Sequence, residues 1–230
     1  MDDAPAPRPR RAGSGYAVTP AAGQGPGVLV LHSWWGLTPF FRSVCDRLAD
    51  EGFVALAPDL HGDDRTADRP DEAEQLLAAT DPDRTAKLVV ASIATLRSMP
   101  ATPDGPIGIV GFSMGASWGL WAAARFADDV AAVVAFYGSQ DVDFATAKAA
   151  FQGHFAEHDE FVSEDDLVEM EAHLRLLGHE VDFHRYPGTG HWFVESDQGA
   201  AYVEAAAEQA WGRAVPFLHR HLGPGAGAGA

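Results

Sequence analysis

Two hydrophobic patterns alternate along the chain. Gly27–Leu31 reads Gly-Val-Leu-Val-Leu, and similar short apolar runs recur at 53–57, 107–111, 130–137 and 150–155. A run of about five residues with no polar interruption predicts a strand buried on both faces. Between these runs the apolar positions fall at helical spacing. Phe40, Phe41, Val44, Leu48 and Ala49 share one face of a helix predicted over 40–51, which Gly52 ends. Further helices are expected over 71–79, 83–98, 114–127, 164–177 and 198–221, with one more strand at 180–186. Strands that alternate with helices need crossover connections. The expectation is therefore an α/β fold, a mostly parallel sheet covered by helices on both faces, with no cap domain. In such a sheet the ligand site lies beyond the carboxyl ends of the strands. Residues 1–14 and 223–230, rich in Pro, Arg, Gly and Ala, read as disordered tails around one domain spanning 15–222.

Composition narrows the possible partners. The 230 residues carry 16 Lys and Arg against 33 Asp and Glu, a formal net charge of −17. That balance argues against nucleic acid and anionic membranes, which need clustered cations. The one basic cluster, Arg8, Arg10 and Arg11, sits in the N-terminal stretch and reads as solvated. No apolar run resembles a leader, and none approaches the roughly 20 residues that span a bilayer, so a cytoplasmic location is expected. The single cysteine, Cys45, excludes an intramolecular disulfide. Its place on the face of Phe41 and Leu48 predicts a buried, inert thiol.

Gly111-Phe112-Ser113-Met114-Gly115 matches G-x-S-x-G, placed between a buried strand and a helix. A serine on that sharp turn is lifted above the sheet, and only glycines clear the neighbouring backbone. The helix beginning at Met114 aims unpaired N–H groups at developing negative charge. His191, in Gly188-Thr189-Gly190-His191, follows the last strand, where a general base belongs in the order Ser, Asp, His. The other nine histidines read as core or surface residues. An acid must orient the imidazole. Asp159 follows the preceding strand, with Glu157, Glu160, Asp141 and Asp143 as competitors. His154 and His158 are four apart, but on a strand running into a loop that spacing is coincidence, and neither metal nor cofactor is expected. The Met114 amide is one expected oxyanion donor. The second is assigned to Trp34 in the loop His32-Ser33-Trp34-Trp35-Gly36-Leu37, with Gly36 permitting the turn. Trp34, Trp35, Phe112, Tyr137 and Trp192 are expected to wall the substrate pocket.

These motifs resemble the dienelactone hydrolase family of α/β-hydrolases. The resemblance runs from about Gly15 to Leu222 and also rests on Ala57-Pro58-Asp59-Leu60, Phe136-Tyr137-Gly138 and Tyr186-Pro187-Gly188. It implies a compact hydrolase without lid or cofactor, Ser113, Asp159 and His191 as a triad, and Tyr137 as a pocket tyrosine. Well-known members carry cysteine where Ser113 stands and glutamate where Ser33 stands. They carry an arginine, which binds the substrate carboxylate, where Glu195 stands. Another such arginine is matched loosely by Arg65 or Arg69. Glu195 is expected to repel dienelactone, leaving ordinary esterase activity. The sequence reading is thus a serine hydrolase of small carboxylic esters or lactones, acting as monomer or homodimer. A thioesterase, a small peptidase and a non-catalytic binding module are the alternatives.

Overall fold

The computed structural model describes residues 8–11, for their backbone, and 15–223. One eight-stranded sheet runs through it. Its strands are β1 (Arg8–Arg11), β2 (Gly15–Thr19), β3 (Gly27–Leu31), β4 (Val54–Pro58), β5 (Ile107–Phe112), β6 (Val130–Phe136), β7 (Ala150–His158) and β8 (Val181–Gly190), in the order β1-β2-β4-β3-β5-β6-β7-β8. From β4 to β8 in that order every neighbour is parallel, and β1 and β2 close one edge antiparallel. The helices are α1 (Pro39–Asp50), α2 (Pro70–Ala78), α3 (Pro82–Ser98), α4 (Met114–Arg125), α5 (Glu164–Leu176) and α6 (Glu204–Leu222).

Side chains of the central strands alternate between two cores, as the pleat requires. Val28, Val30, Val110, Phe112, Val134 and Phe136 point toward α1 and α6. Leu29, Leu31, Ile107, Ile109 and Val133 point toward α3, α4 and α5. Burial on both faces explains why these strands read as unbroken apolar runs. The chain leaves β3 for β4 on one side and later reaches β5 on the other, so β3 and β5 flank the switch point where such sheets bind ligands.

Three expectations are corrected here. Arg8–Arg11 lies within the stretch read as a disordered tail, yet it pairs with β2 from Arg8 opposite Thr19 to Arg11 opposite Tyr16. An edge strand needs only backbone partners, so composition does not reveal it. Gly223 closes α6 rather than opening a tail: its N–H caps the His219 carbonyl. Finally, the last helix starts at Glu204, not at 198. Gly199–Ala201 forms a separate 3₁₀ turn, and the Val203 N–H turns back to the Phe193 carbonyl (2.9 Å).

Candidate active site

Ser113 stands between β5 and α4 with φ 51° and ψ −117°, a left-handed backbone that an L-residue adopts only under constraint. The constraint is close packing on both sides. A Cβ at Gly115 would sit 2.1 Å from the Leu31 carbonyl oxygen, and one at Gly111 would sit 2.5 Å from the Gly115 carbonyl oxygen. The Ser113 N–H is held by the Phe136 carbonyl (2.9 Å). The residue is half-buried, so solvent reaches the turn.

His191 follows β8, and its Nε2 lies 2.8 Å from Ser113 Oγ. Its Nδ1 lies 2.7 Å and 2.9 Å from the two carboxylate oxygens of Asp159, which follows β7. The carboxylate can only accept, so Nδ1 carries the proton and Nε2 is free to take the serine hydrogen. Asp159 Oδ1 also accepts the N–H groups of Phe161 (2.9 Å) and Val162 (3.1 Å), which fix its orientation. Of the competing acids, Glu157 is engaged elsewhere, accepting the Gly188 N–H at 2.7 Å.

The loop after β3 is braced from behind. His32 is buried and accepts the Leu60 N–H at Nε2 (2.9 Å), while its Nδ1 donates to the Ser33 carbonyl (2.6 Å). Burial, aided by neighbouring His61, lowers its pKa to about 3, so the ring stays neutral. His61 Nε2 donates to the Trp34 carbonyl (2.9 Å). Gly36 turns with φ 91°, and a Cβ there would meet the Arg65 carbonyl oxygen at 2.4 Å. The Trp34 and Met114 amides are spent on no other hydrogen bond among the described residues.

The expected pocket wall divides. Trp34 and Trp192 are half-buried and stack with centroids 5.6 Å apart. Trp35 is buried beneath them with Ala67 and Ala73. Phe112 is not a wall residue. It is fully buried and stacks on Phe136 at 4.7 Å, because the residue before the turn still belongs to the strand and points into the core. Tyr137 is also fully buried. Its ring lies 4.9 Å from the His191 ring and its hydroxyl donates to Glu195 (2.9 Å), so it packs behind the imidazole from the core side. Phe161, which no sequence pattern singled out, is half exposed. It packs on His191 (4.8 Å), Trp192 (5.1 Å) and Trp34 (5.5 Å). A cleft of about 650 Å³ reaches the His191–Asp159 side of this cluster, with Glu157, Glu160 and Glu164 at its rim.

Glu195 departs most from expectation. It does not face the pocket as an anion. It is fully buried, with Ser33 Oγ 3.0 Å from Oε2 and Tyr137 donating to Oε1, and burial pushes its pKa up to about 8. Arg65 and Arg69 are not free anchors either. Arg65 binds the carbonyls of His61 (2.8 Å) and Gly62 (3.3 Å), and Arg69 pairs with Asp71 (3.2 Å) and Glu72 (2.9 Å). His154 and His158 do not meet at a common site. His154 is buried against Tyr186 (2.7 Å) and Gln152 (3.0 Å), whereas His158 is exposed. Cys45 is buried, and burial pushes its thiol pKa up.

A parallel sheet with helices on both faces, and a serine on a strained strand-to-helix turn hydrogen-bonded to histidine, define the α/β-hydrolase class. The sequence profile of the dienelactone hydrolase family matches residues 14–222, and the chain belongs to that family. It is 34% identical over 217 residues to "Protein usf" of Aquifex pyrophilus, covering 90% of this chain and 93% of the other. The same figures hold for an Aquifex aeolicus protein assigned provisionally as a carboxymethylenebutenolidase. A crystal structure from Klebsiella pneumoniae, titled provisionally as a dienelactone hydrolase, shares the fold. Its TM-score is 0.78 at 24% identity, over 90% of this chain and 92% of that one. The chain is a hydrolase of this kind.

Proposed function

We propose that the protein hydrolyses small carboxylic esters or lactones through an acyl-serine intermediate on Ser113. The observation that carries this reading is the unbroken chain Ser113 Oγ to His191 Nε2 (2.8 Å) and His191 Nδ1 to Asp159 (2.7 Å), built on a strained serine. His191 takes the Ser113 proton as Oγ bonds to the ester carbonyl carbon. The oxyanion is received by the Met114 and Trp34 amides. When the tetrahedral intermediate collapses, the carbon–oxygen bond to the alcohol breaks and His191 returns the proton to that oxygen. Water, deprotonated by the same imidazole, then attacks the acyl carbonyl and frees the carboxylic acid and Ser113. Asp159 holds the required tautomer and stabilises the imidazolium.

The half-exposed serine and the aromatic cluster of Trp34, Phe161 and Trp192 favour acyl groups of modest size. The acidic rim of the neighbouring cleft, with Arg65 and Arg69 already engaged, favours neutral over carboxylate-bearing substrates. Low activity on dienelactone is therefore still proposed, although it now rests on those residues and not on Glu195. The test is hydrolysis of p-nitrophenyl esters across acyl lengths by the wild type and Ser113→Ala. Short-chain activity that disappears in the variant supports the reading. Equal activity in both removes Ser113 from the mechanism.

A further inference from the structure

Glu195 takes no part in the acyl-transfer steps above, yet it is built into their centre. It lies on the loop after His191, where its own N–H binds the Trp192 carbonyl (2.9 Å) and its carbonyl takes the Gln198 N–H (3.0 Å). Its side chain joins two other loops. Oε2 meets Ser33 Oγ (3.0 Å), one residue before the proposed oxyanion donor Trp34. Oε1 receives the hydroxyl of Tyr137 (2.9 Å), whose backbone is held at φ 38° and whose ring lies 4.9 Å from the His191 ring. No solvent reaches the carboxyl.

We propose that Glu195 is a positioning residue for acyl transfer, clamping the oxyanion loop through Ser33 and the support behind His191 through Tyr137. The proposal rests on the serine-hydrolase reading. Burial holds the carboxyl near pKa 8, Asp197 adds to the rise, and the hydrogen bonds from Tyr137 and Ser33 oppose it. Both hydroxyls donate to the carboxyl, Tyr137 to Oε1 (2.9 Å) and Ser33 Oγ to Oε2 (3.0 Å). The titratable groups around it are Tyr137 from the end of β6, Asp197 on its own loop, and, beyond the Tyr137 ring, His191 and Asp159. Tyr137 is itself held well above its ordinary pKa by burial and by Glu195, so it remains a donor. Above pH 8 the carboxyl becomes a buried anion beside Asp197, uncompensated by any cation among the groups named above.

The variants Glu195→Gln and Glu195→Ala test this with a soluble ester and a fluorophosphonate label for Ser113. Glutamine stays neutral at every pH: its oxygen accepts from Tyr137, and its amide N–H faces Ser33 Oγ, which can accept. It should keep near wild-type kcat at pH 7 and lack the alkaline fall in kcat that is expected of the wild type near pH 8. Alanine should lower kcat by on the order of ten- to a hundredfold with KM little changed, as expected for a displaced catalytic group. Labelled wild type with unchanged kcat in the alanine variant, or the same alkaline fall in the glutamine variant, overturns the clamp alone. Wild type that neither labels nor turns over ester overturns the hydrolase reading and the clamp together.

Discussion

At Ser113 the backbone stands in a conformation that most L-residues avoid, and the hydroxyl it presents is met at once by His191. Strain of this kind costs of order 1–3 kcal/mol and persists only where the surroundings enforce it. Asp159 fixes the proton on the far side of the imidazole. Asp159→Asn should therefore leave the fold intact and lower kcat by on the order of a thousandfold or more, measured by steady-state ester hydrolysis. Phe161 acts differently. It touches the rings of His191, Trp34 and Trp192, but it donates no group to the chemistry. Phe161→Ala should widen the range of acyl lengths accepted, read from kcat/KM across a p-nitrophenyl ester series, while Ser113 labelling persists. Glu195 makes a stability prediction of its own sign. Its folded pKa of about 8 lies above the ordinary glutamate value. The folded chain then holds a proton that the unfolded chain has released, so stability falls as pH rises from the ordinary glutamate range to about 8. Urea denaturation of Glu195→Gln should show a gain over wild type that grows across that window and levels off above it.

The turn between β5 and α4 shows how an element is tuned to one residue. Gly115 packs against the Leu31 and His32 carbonyls, and Gly111 against the backbone of Gly115 and Ala116. Gly115→Ala should destabilise the fold by about 3 kcal/mol or more, because the contact is with backbone that has no room to give. A thermal melt checks this, and an unchanged midpoint would show that the strand and helix can separate. These glycines, the serine and the buried runs of β3 to β6 were legible in the sequence because each must satisfy a steric rule. That Ser113, His191 and Asp159 would meet at one place was legible from chain order. What escaped was set by contacts distant in sequence. Phe112 looked like a pocket aromatic, but strand alternation turns it into the α1–α6 core. Glu195 read as an anion facing the substrate, yet it is buried and meets Ser33 across 162 positions of chain. Phe161 carried no pattern at all, since its place follows from the bend that the Asp159 carboxylate imposes on its own loop.

Across the whole molecule, the sheet gathers the ends of β3, β5, β6, β7 and β8 at one edge, and every group in the proposed mechanism stands there. The chain that builds this edge carries a net charge of −17. Long-range repulsion should slow the capture of anionic esters, and salt should relieve it, since the screening length falls to roughly 10 Å at 0.1 M. The ratio of kcat/KM for a carboxylate-bearing ester to that for its neutral analogue should therefore rise with ionic strength. A ratio independent of salt would show that local contacts alone set the preference. The central claim is the acyl-enzyme on Ser113, and the most direct measurement is titration with a fluorophosphonate, followed by intact mass and peptide mapping. One adduct per chain, located on Ser113, with ester hydrolysis lost in proportion to labelling, is the predicted result. No adduct and no hydrolysis of any ester in the series would contradict the account.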